Sequence, residues 1–249
     1  MKITTLFLSL LFIGLSATAE VSTLERNALV DLYTSTHGAS WKTSWNLEQP
    51  VSSWYGVTVK DDKVVALRLS MNNLNGVLPE SIGDLTHLES LELFFNNLQG
   101  QLPESIGKLK NLKSLVLNGN RIQGELPQSL YELSSLENLQ LTSNDLSGPL
   151  APQIQNLINL RVLHLFDNNF SGSIPKELGK IRALRDLMLG DNNFSGQLPQ
   201  SVAFLEHLQN ARFSGNPDLK TTGLPLEVSN TELQEQLQKQ TSGVALGGN

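Results

Sequence analysis

The chain has 249 residues, enough for one elongated domain, with a formal net charge of −6 and no cysteine. The acidic balance excludes a nucleic-acid binder that works by neutralising phosphates. Without cysteine there are no disulfides, so an apolar stack and its end caps must hold the fold together.

Residues 1–19 read as a secretory signal peptide. Met1-Lys2 gives a short positive start, residues 3–15 are mostly apolar, and Ala17-Thr18-Ala19 supplies the small residues that precede cleavage. The apolar run falls short of the roughly 20 residues that a spanning helix needs, and no later stretch is apolar enough. The mature protein is expected to start at Glu20, to be secreted or periplasmic, and to insert into no membrane. Export without cysteine suits a bacterial protein better than a typical eukaryotic one.

Residues 20–63 form the expected N-terminal cap. An amphipathic helix is predicted over residues 23–36, capped by Thr23 and ended by Gly38, with Leu24, Ala28, Leu29, Leu32 and Tyr33 on one face. Trp41, Trp45 and Trp54 follow, the only tryptophans in the chain. They suit either a carbohydrate platform or a lid over the open apolar end of a solenoid, and their terminal position favours the lid. Val57, Val59, Val64 and Val65 read as strands leading inward.

Residues 64–220 repeat at a 24-residue step. Leu67, Leu69, Asn72, Leu74 and Gly76 recur as Leu91, Leu93, Asn96, Leu98 and Gly100. Leu115, Leu139, Leu163 and Leu187 open four more repeats, and Ala211 opens a degenerate seventh. A fixed period in this range marks a solenoid. Each Leu-x-Leu is predicted to be a strand with its leucines inward. The asparagine column, from Asn72 to Asn216, is expected to bond interior backbone groups. Leu/Ile-Pro pairs such as Leu102-Pro103 should start a helical turn on the convex side. Repeat four has Ala151 in the proline column with Pro152 after it, which predicts a local irregularity. Residues 221–240, with Leu233 and Leu237 one helical turn apart, read as a small C-terminal cap helix, and 241–249 as a flexible tail.

The repeat Leu88-Glu-Ser-Leu91-Glu-Leu93-Phe-Phe-Asn96-Asn-Leu98-Gln-Gly100-Gln-Leu-Pro103-Glu-Ser-Ile106-Gly107-Lys-Leu109 resembles the plant-type leucine-rich repeat of receptor kinase ectodomains and polygalacturonase-inhibiting proteins. Trp54-Tyr55-Gly56-Val57-Thr58 resembles the cap of that family, where cysteines flank the motif; here Ser52 and Val59 stand in their places. The resemblance is nearest to bacterial exported proteins with similar caps and repeats. It implies an α/β solenoid: a right-handed superhelix with a concave parallel β-sheet, a second short sheet beside the Gly-x-Leu-Pro segments, and helical caps. Neither a kinase domain nor polygalacturonase inhibition is carried over.

A solenoid offers an extended surface and no evident catalytic cleft, so function is sought in exposed columns of the concave face. One column runs Ala66, Ser90, Ser114, Asn138, Val162, Asp186, Asn210, and a second Arg68, Glu92, Val116, Gln140, His164, Met188, Arg212. The next runs Ser70, Phe94, Asn118, Thr142, Phe166, Gly190, Ser214, and the last Met71, Phe95, Gly119, Ser143, Asp167, Asp191, Gly215. Phe94, Phe95 and Phe166 stand where the motif demands no apolar residue, with Val116, His164 and Met188 among them. Exposed aromatics of this kind anchor partners. Glu92, Gln140, Asp167 and Asp191 complete the candidate ligand-binding set. A protein ligand is expected, with a glycan as the alternative. A hydrolase using Asp167 and Asp191 is a remote third reading, so no enzymatic activity is expected. No cofactor or metal is expected, since the histidines do not converge. The protein is expected to be a monomer. Asn169-Phe-Ser171 and Asn193-Phe-Ser195 are glycosylation sequons set within the repeat motif.

Overall fold

The computed structural model describes residues 20–221. The expected signal peptide and tail, and the C-terminal cap beyond residue 221, lie outside the described residues.

The described chain opens on α1 (Thr23–Ser35), and its cap is Ser22 rather than Thr23. The Ser22 hydroxyl accepts from the Glu25 amide at 3.3 Å and donates to Glu25 Oε2 at 2.8 Å. Asp, Asn, Ser and Thr do this at helix starts because the first amides lack intrahelical partners. Glu25 is thereby drawn inward, to 3% exposure. Its other oxygen accepts from the Val64 amide at 3.1 Å, tying the helix to the first sheet. The buried face therefore runs through Glu25, Ala28, Leu29 and Leu32, and Leu24 is left in solvent. The helix stops at Ser35 with Thr36 as its C-cap. Gly38 comes after it, in a short 3₁₀ turn, with no room for a Cβ beneath the Tyr33 ring.

β1 (Val57–Lys60) and β2 (Lys63–Arg68) form an antiparallel hairpin turned by Asp61 and Asp62, both with positive φ. Aspartate tolerates that backbone better than most residues. This hairpin begins an eight-stranded sheet that continues from β2 in parallel through Ser90–Glu92, Ser114–Val116, Asn138–Gln140, Val162–His164, Asp186–Met188 and Asn210–Arg212. This sheet lines the concave side. A second, seven-stranded sheet runs from Asn75–Val77 to Asp218–Lys220 along the segments that follow the asparagine column. Five-residue 3₁₀ helices, such as Glu80–Asp84 and Glu104–Lys108, close the first repeats on the convex side, each after a proline.

Alternation fixes the core. In the concave strands from Ser90–Glu92 to Asp186–Met188 the central leucine is fully buried and its neighbours face out, and Ala211 takes that inward place in the last strand. The asparagine column is buried among these leucines and bonded throughout. Asn96 Nδ2 donates to the carbonyls of Leu69 at 2.9 Å and Leu93 at 2.8 Å, and its Oδ1 accepts from the Leu74 amide at 3.0 Å. The first rung differs, because Asn72 bonds the cap instead: its Oδ1 accepts from the Thr43 amide at 2.7 Å and its Nδ2 donates to the Thr43 carbonyl.

The irregularity expected in repeat four is absent. Ala151 holds φ −74, a proline-like value, and Pro152–Asn156 forms the same 3₁₀ turn as its neighbours. Alanine carries an N–H that proline lacks, and buried donors need partners. Here the donor finds the Tyr131 hydroxyl of the preceding repeat at 3.3 Å. Burial of that phenol raises its pKa above the usual tyrosine value.

Candidate functional site

The outward columns of the concave sheet differ in what their backbone imposes. The last of them is left-handed throughout: Met71 (φ 58), Phe95 (53), Gly119 (64), Ser143 (54), Asp167 (58), Asp191 (48) and Gly215 (79). The chain must turn sharply there to send the next residue, the ladder asparagine, inward. Left-handed backbone costs an ordinary L-residue about 1–2 kcal/mol, while glycine, and to a degree aspartate and asparagine, escape it. Phe95 and Met71 are thus the poorest residues for their positions. They are also 62% and 57% exposed, respectively, so neither recovers the cost through burial.

Phe95 is nevertheless held. Its ring lies over Gly119, where a Cβ would collide with it, and it meets Phe94 edge-on, with centroids 5.6 Å apart at 81°. Phe94 itself is half-buried. Met71 precedes Phe95 in the same column, and its amide donates to the Phe94 carbonyl at 2.9 Å. Met71 thus stands on the strand next to the Phe94–Phe95 ring pair, and these neighbouring positions form an apolar corner at the N-terminal end of the sheet. Sequence reasoning placed Met71 in the column but left it out of the site; the missing signal was the exposure shared with Phe95.

The middle of the sheet is a bonded polar floor. Asn118 Nδ2 donates to Gln140 Oε1 at 3.0 Å, Gln140 Nε2 donates to Asn138 Oδ1 at 2.9 Å, and Asn138 Nδ2 donates to Ser114 Oγ at 3.1 Å. Gln140 is therefore committed to its neighbours. Val116 flanks this floor, half-buried. His164 lies between Gln140 and Met188 in the strand register, half-buried, with its Nε2 shielded and without a hydrogen-bond partner. Burial pushes its pKa below the ordinary histidine value, and nearby Asp186 pulls weakly the other way. A lowered pKa means that protonation is disfavoured in the folded state. Stability is then complete above the ordinary pKa of about 6.5 and declines as pH falls through the lower folded value. His164→Gln should flatten this part of the thermal-melting profile; an unchanged profile would mean that another group sets it.

At the C-terminal end, the expectation of an exposed Phe166 is corrected. The Arg212 guanidinium lies 4.3 Å from the ring centroid, and the ring rests against Gly190, leaving Phe166 half-buried. Arg212 also faces Asp191 at 3.8 Å and donates from Nε to Ser214 Oγ at 3.1 Å. Asp191 is thus engaged by a cation, and the two aspartates are not an isolated carboxylate pair. Asp167 is exposed and, among the described residues, in no ion pair. Glu92 is committed as well: it accepts from Ser90 at 2.7 Å and from Arg68 at 3.2 Å. At this exposure such a pair contributes about 0–1 kcal/mol. Among the described residues no three metal-ligating side chains gather, and no helix is long and apolar enough to cross a membrane.

The comparisons agree with this architecture. Residues 62–166 match the family model for a leucine-rich repeat region, and 159–181 match a leucine-rich repeat. A probable inactive receptor kinase of Arabidopsis thaliana, At1g48480, is 37% identical over 95 residues, which is 36% of this chain and 14% of that protein. The Arabidopsis receptor kinase HAESA, solved with the peptide hormone IDA and the co-receptor SERK1, superposes with a TM-score of 0.67 at 31% identity, over 78% of this chain and 33% of that one. A plant ice-binding protein gives a TM-score of 0.71 at 26% identity, over 79% and 72%. The chain thus spans only a minor part of the two receptor kinases. Fold and repeats together define a leucine-rich-repeat solenoid, and its repeats are of the plant type.

Proposed function

We propose that this protein is an exported binding module that takes a protein or peptide ligand on the concave face of its eight-stranded sheet. The observation that carries the reading is the apolar corner of Met71, Phe94 and Phe95, with Phe95 largely in solvent. Aromatic anchors dominate interface energetics, and solenoids present such surfaces for recognition. The likeness to HAESA, a receptor solved with a peptide hormone, supports it. Backbone likeness alone does not choose a ligand, since it extends to an ice-binding protein; the side chains do. The glycan alternative is weakened because Trp41, Trp45 and Trp54 are all buried and offer no sugar platform. Export rests on the leader-like residues 1–19, and the cap without cysteine favours a bacterial setting.

The test pairs capture from the secreted fraction with a glycan array, followed by alanine variants of the captured ligand's contact surface. Phe95→Ala should cost about 2 kcal/mol of affinity and change stability by well under the cost of a core leucine. Phe94→Ala should act in the same direction. Phe166→Ala should act less, since Arg212 covers that ring. Leu141→Ala should do the reverse, removing about 2–5 kcal/mol of stability. Full affinity in all three phenylalanine variants would move binding off this face. Recovery of the protein only from the cytoplasm would remove export from the reading.

A further inference from the structure

We infer that Phe95, with Met71 beside it, is a preorganised anchor for an apolar side chain of an extended, cationic peptide. The inference rests on the reading of the concave sheet as a peptide-binding face and names the class of peptide that it takes.

The first support is the conflict between position and residue. Seven residues of one column share left-handed backbone, and five of them are Gly119, Ser143, Asp167, Asp191 and Gly215. These are small or are residues that tolerate such backbone. The two large apolar ones, Met71 and Phe95, are adjacent and exposed. Selection for folding alone would replace both, and backbone outliers of this kind concentrate where function requires them. The second support is rigidity. Glycine at 119 provides a flat floor for the Phe95 ring, and Phe94 holds its edge. A ring fixed before the ligand arrives loses less entropy on binding.

Charge selects the occupant. Arg68 is paired with Glu92, and Arg212 with Asp191, so each arginine of these columns already faces a carboxylate. Asp167 is exposed and has no ion-pair partner among the described residues; it stands in the same column as Phe95, on a chain of net charge −6. Three strand steps separate the two residues, about 14 Å at ~4.8 Å per step. An extended peptide covers that distance in about four residues at ~3.5 Å each. The ligand is therefore a peptide crossing the strands, with an apolar side chain on Phe95 and Met71 and a lysine or arginine about four residues along, opposite Asp167.

The experiment selects binders to the full chain from a randomised short-peptide library and measures the best of them by calorimetry, with a glycan array run in parallel. Selected peptides should carry an apolar residue and a basic residue at about that separation. Phe95→Asn, which suits left-handed backbone, should weaken binding about 30-fold while Tm stays level or rises. Gly119→Ser removes no aromatic but displaces the ring, and it should weaken binding too. Asp167→Asn should weaken a peptide with lysine and leave its Lys→Gln version unaffected. The anchor is overturned if peptides bind Phe95→Asn as they bind the unmodified protein, or if the variant's Tm falls in step with affinity. Selection of neutral or acidic peptides overturns the cationic ligand. Glycan binding with no peptide selected overturns the underlying reading itself.

Discussion

Trp54→Ala is expected to lower folding stability by about 3–5 kcal/mol, the range for truncating a buried aromatic. Trp54 is one end of a chain of packed rings, with the Arg26 guanidinium 5.8 Å from its ring centroid. It lies on Trp45 with centroids 4.8 Å apart at 25°, Trp45 meets Trp41 edge-on at 4.8 Å, and Tyr33 of α1 contacts both of the latter. Each indole N–H is also used: Trp41 donates to Thr36 O at 2.9 Å, Trp45 to Tyr55 O at 2.8 Å, and Trp54 to Gln49 O at 3.0 Å. The cap is thus held by polar bonds at the rim and stacked rings at the centre, in a chain that has no cysteine for a disulfide. Trp54→Phe keeps a ring but leaves the Gln49 carbonyl short of a donor, so a smaller loss of about 1–3 kcal/mol is expected. All three tryptophans lie in the cap, so their fluorescence follows the cap, whereas circular dichroism follows mostly the repeats. In the variant, the fluorescence transition should come at lower denaturant than the dichroism transition, because repeat arrays lose cooperativity when one interface weakens. Unchanged melting by both probes would mean that the stack does not hold the fold.

How much of this was legible in the sequence depended on whether a residue's role repeats. The leucines and asparagines recur because each repeat solves the same packing problem, so their period exposed the sheet, the core and the ladder at once. The single events were harder. Glu25 is charged yet faces inward, against the rule that places such residues outside, because Ser22 and the Val64 amide satisfy it together. Ala151 departs from the proline pattern, but its consequence is decided by a hydroxyl one repeat earlier. Phe95 was recognisable as out of pattern, yet nothing local to phenylalanine announces left-handed backbone; that follows from the asparagine after it, which must turn inward. The cover over Phe166 comes from Arg212, two repeats later in the chain, and is set by how the strands stack rather than by any local pattern.

The asparagine ladder gives the other large effect. Asn144→Ala is expected to cost about 3 kcal/mol, comparable to a core leucine truncated to alanine. Asn144 Oδ1 accepts from the Ile122 amide at 3.0 Å, and its Nδ2 donates to the carbonyls of Leu117 at 3.1 Å and Leu141 at 3.0 Å. The two carbonyls keep a second donor from neighbouring rungs, Asn120 at 2.9 Å and Asn168 at 2.9 Å, so they are only partly deprived. The Ile122 amide has no such alternative among the bonds of the ladder, and an orphaned buried donor accounts for about 1–3 kcal/mol of the loss. A second variant separates hydrogen bonding from volume. Asn144→Asp has nearly the same shape and keeps the acceptor for Ile122, but when ionised it turns a carboxylate oxygen toward two carbonyls and cannot donate. Its folded pKa must then lie above the usual aspartate value of about 3.9. A raised pKa means that stability is recovered as pH falls through the folded value and approaches its full extent below the unfolded one. Asn144→Asp should therefore become more stable on acidification from neutrality, a trend that Asn144→Ala should lack in this pH range. Equal and parallel pH profiles for the two variants in denaturant titrations would assign the column to space-filling and remove its role as a hydrogen-bonded spine.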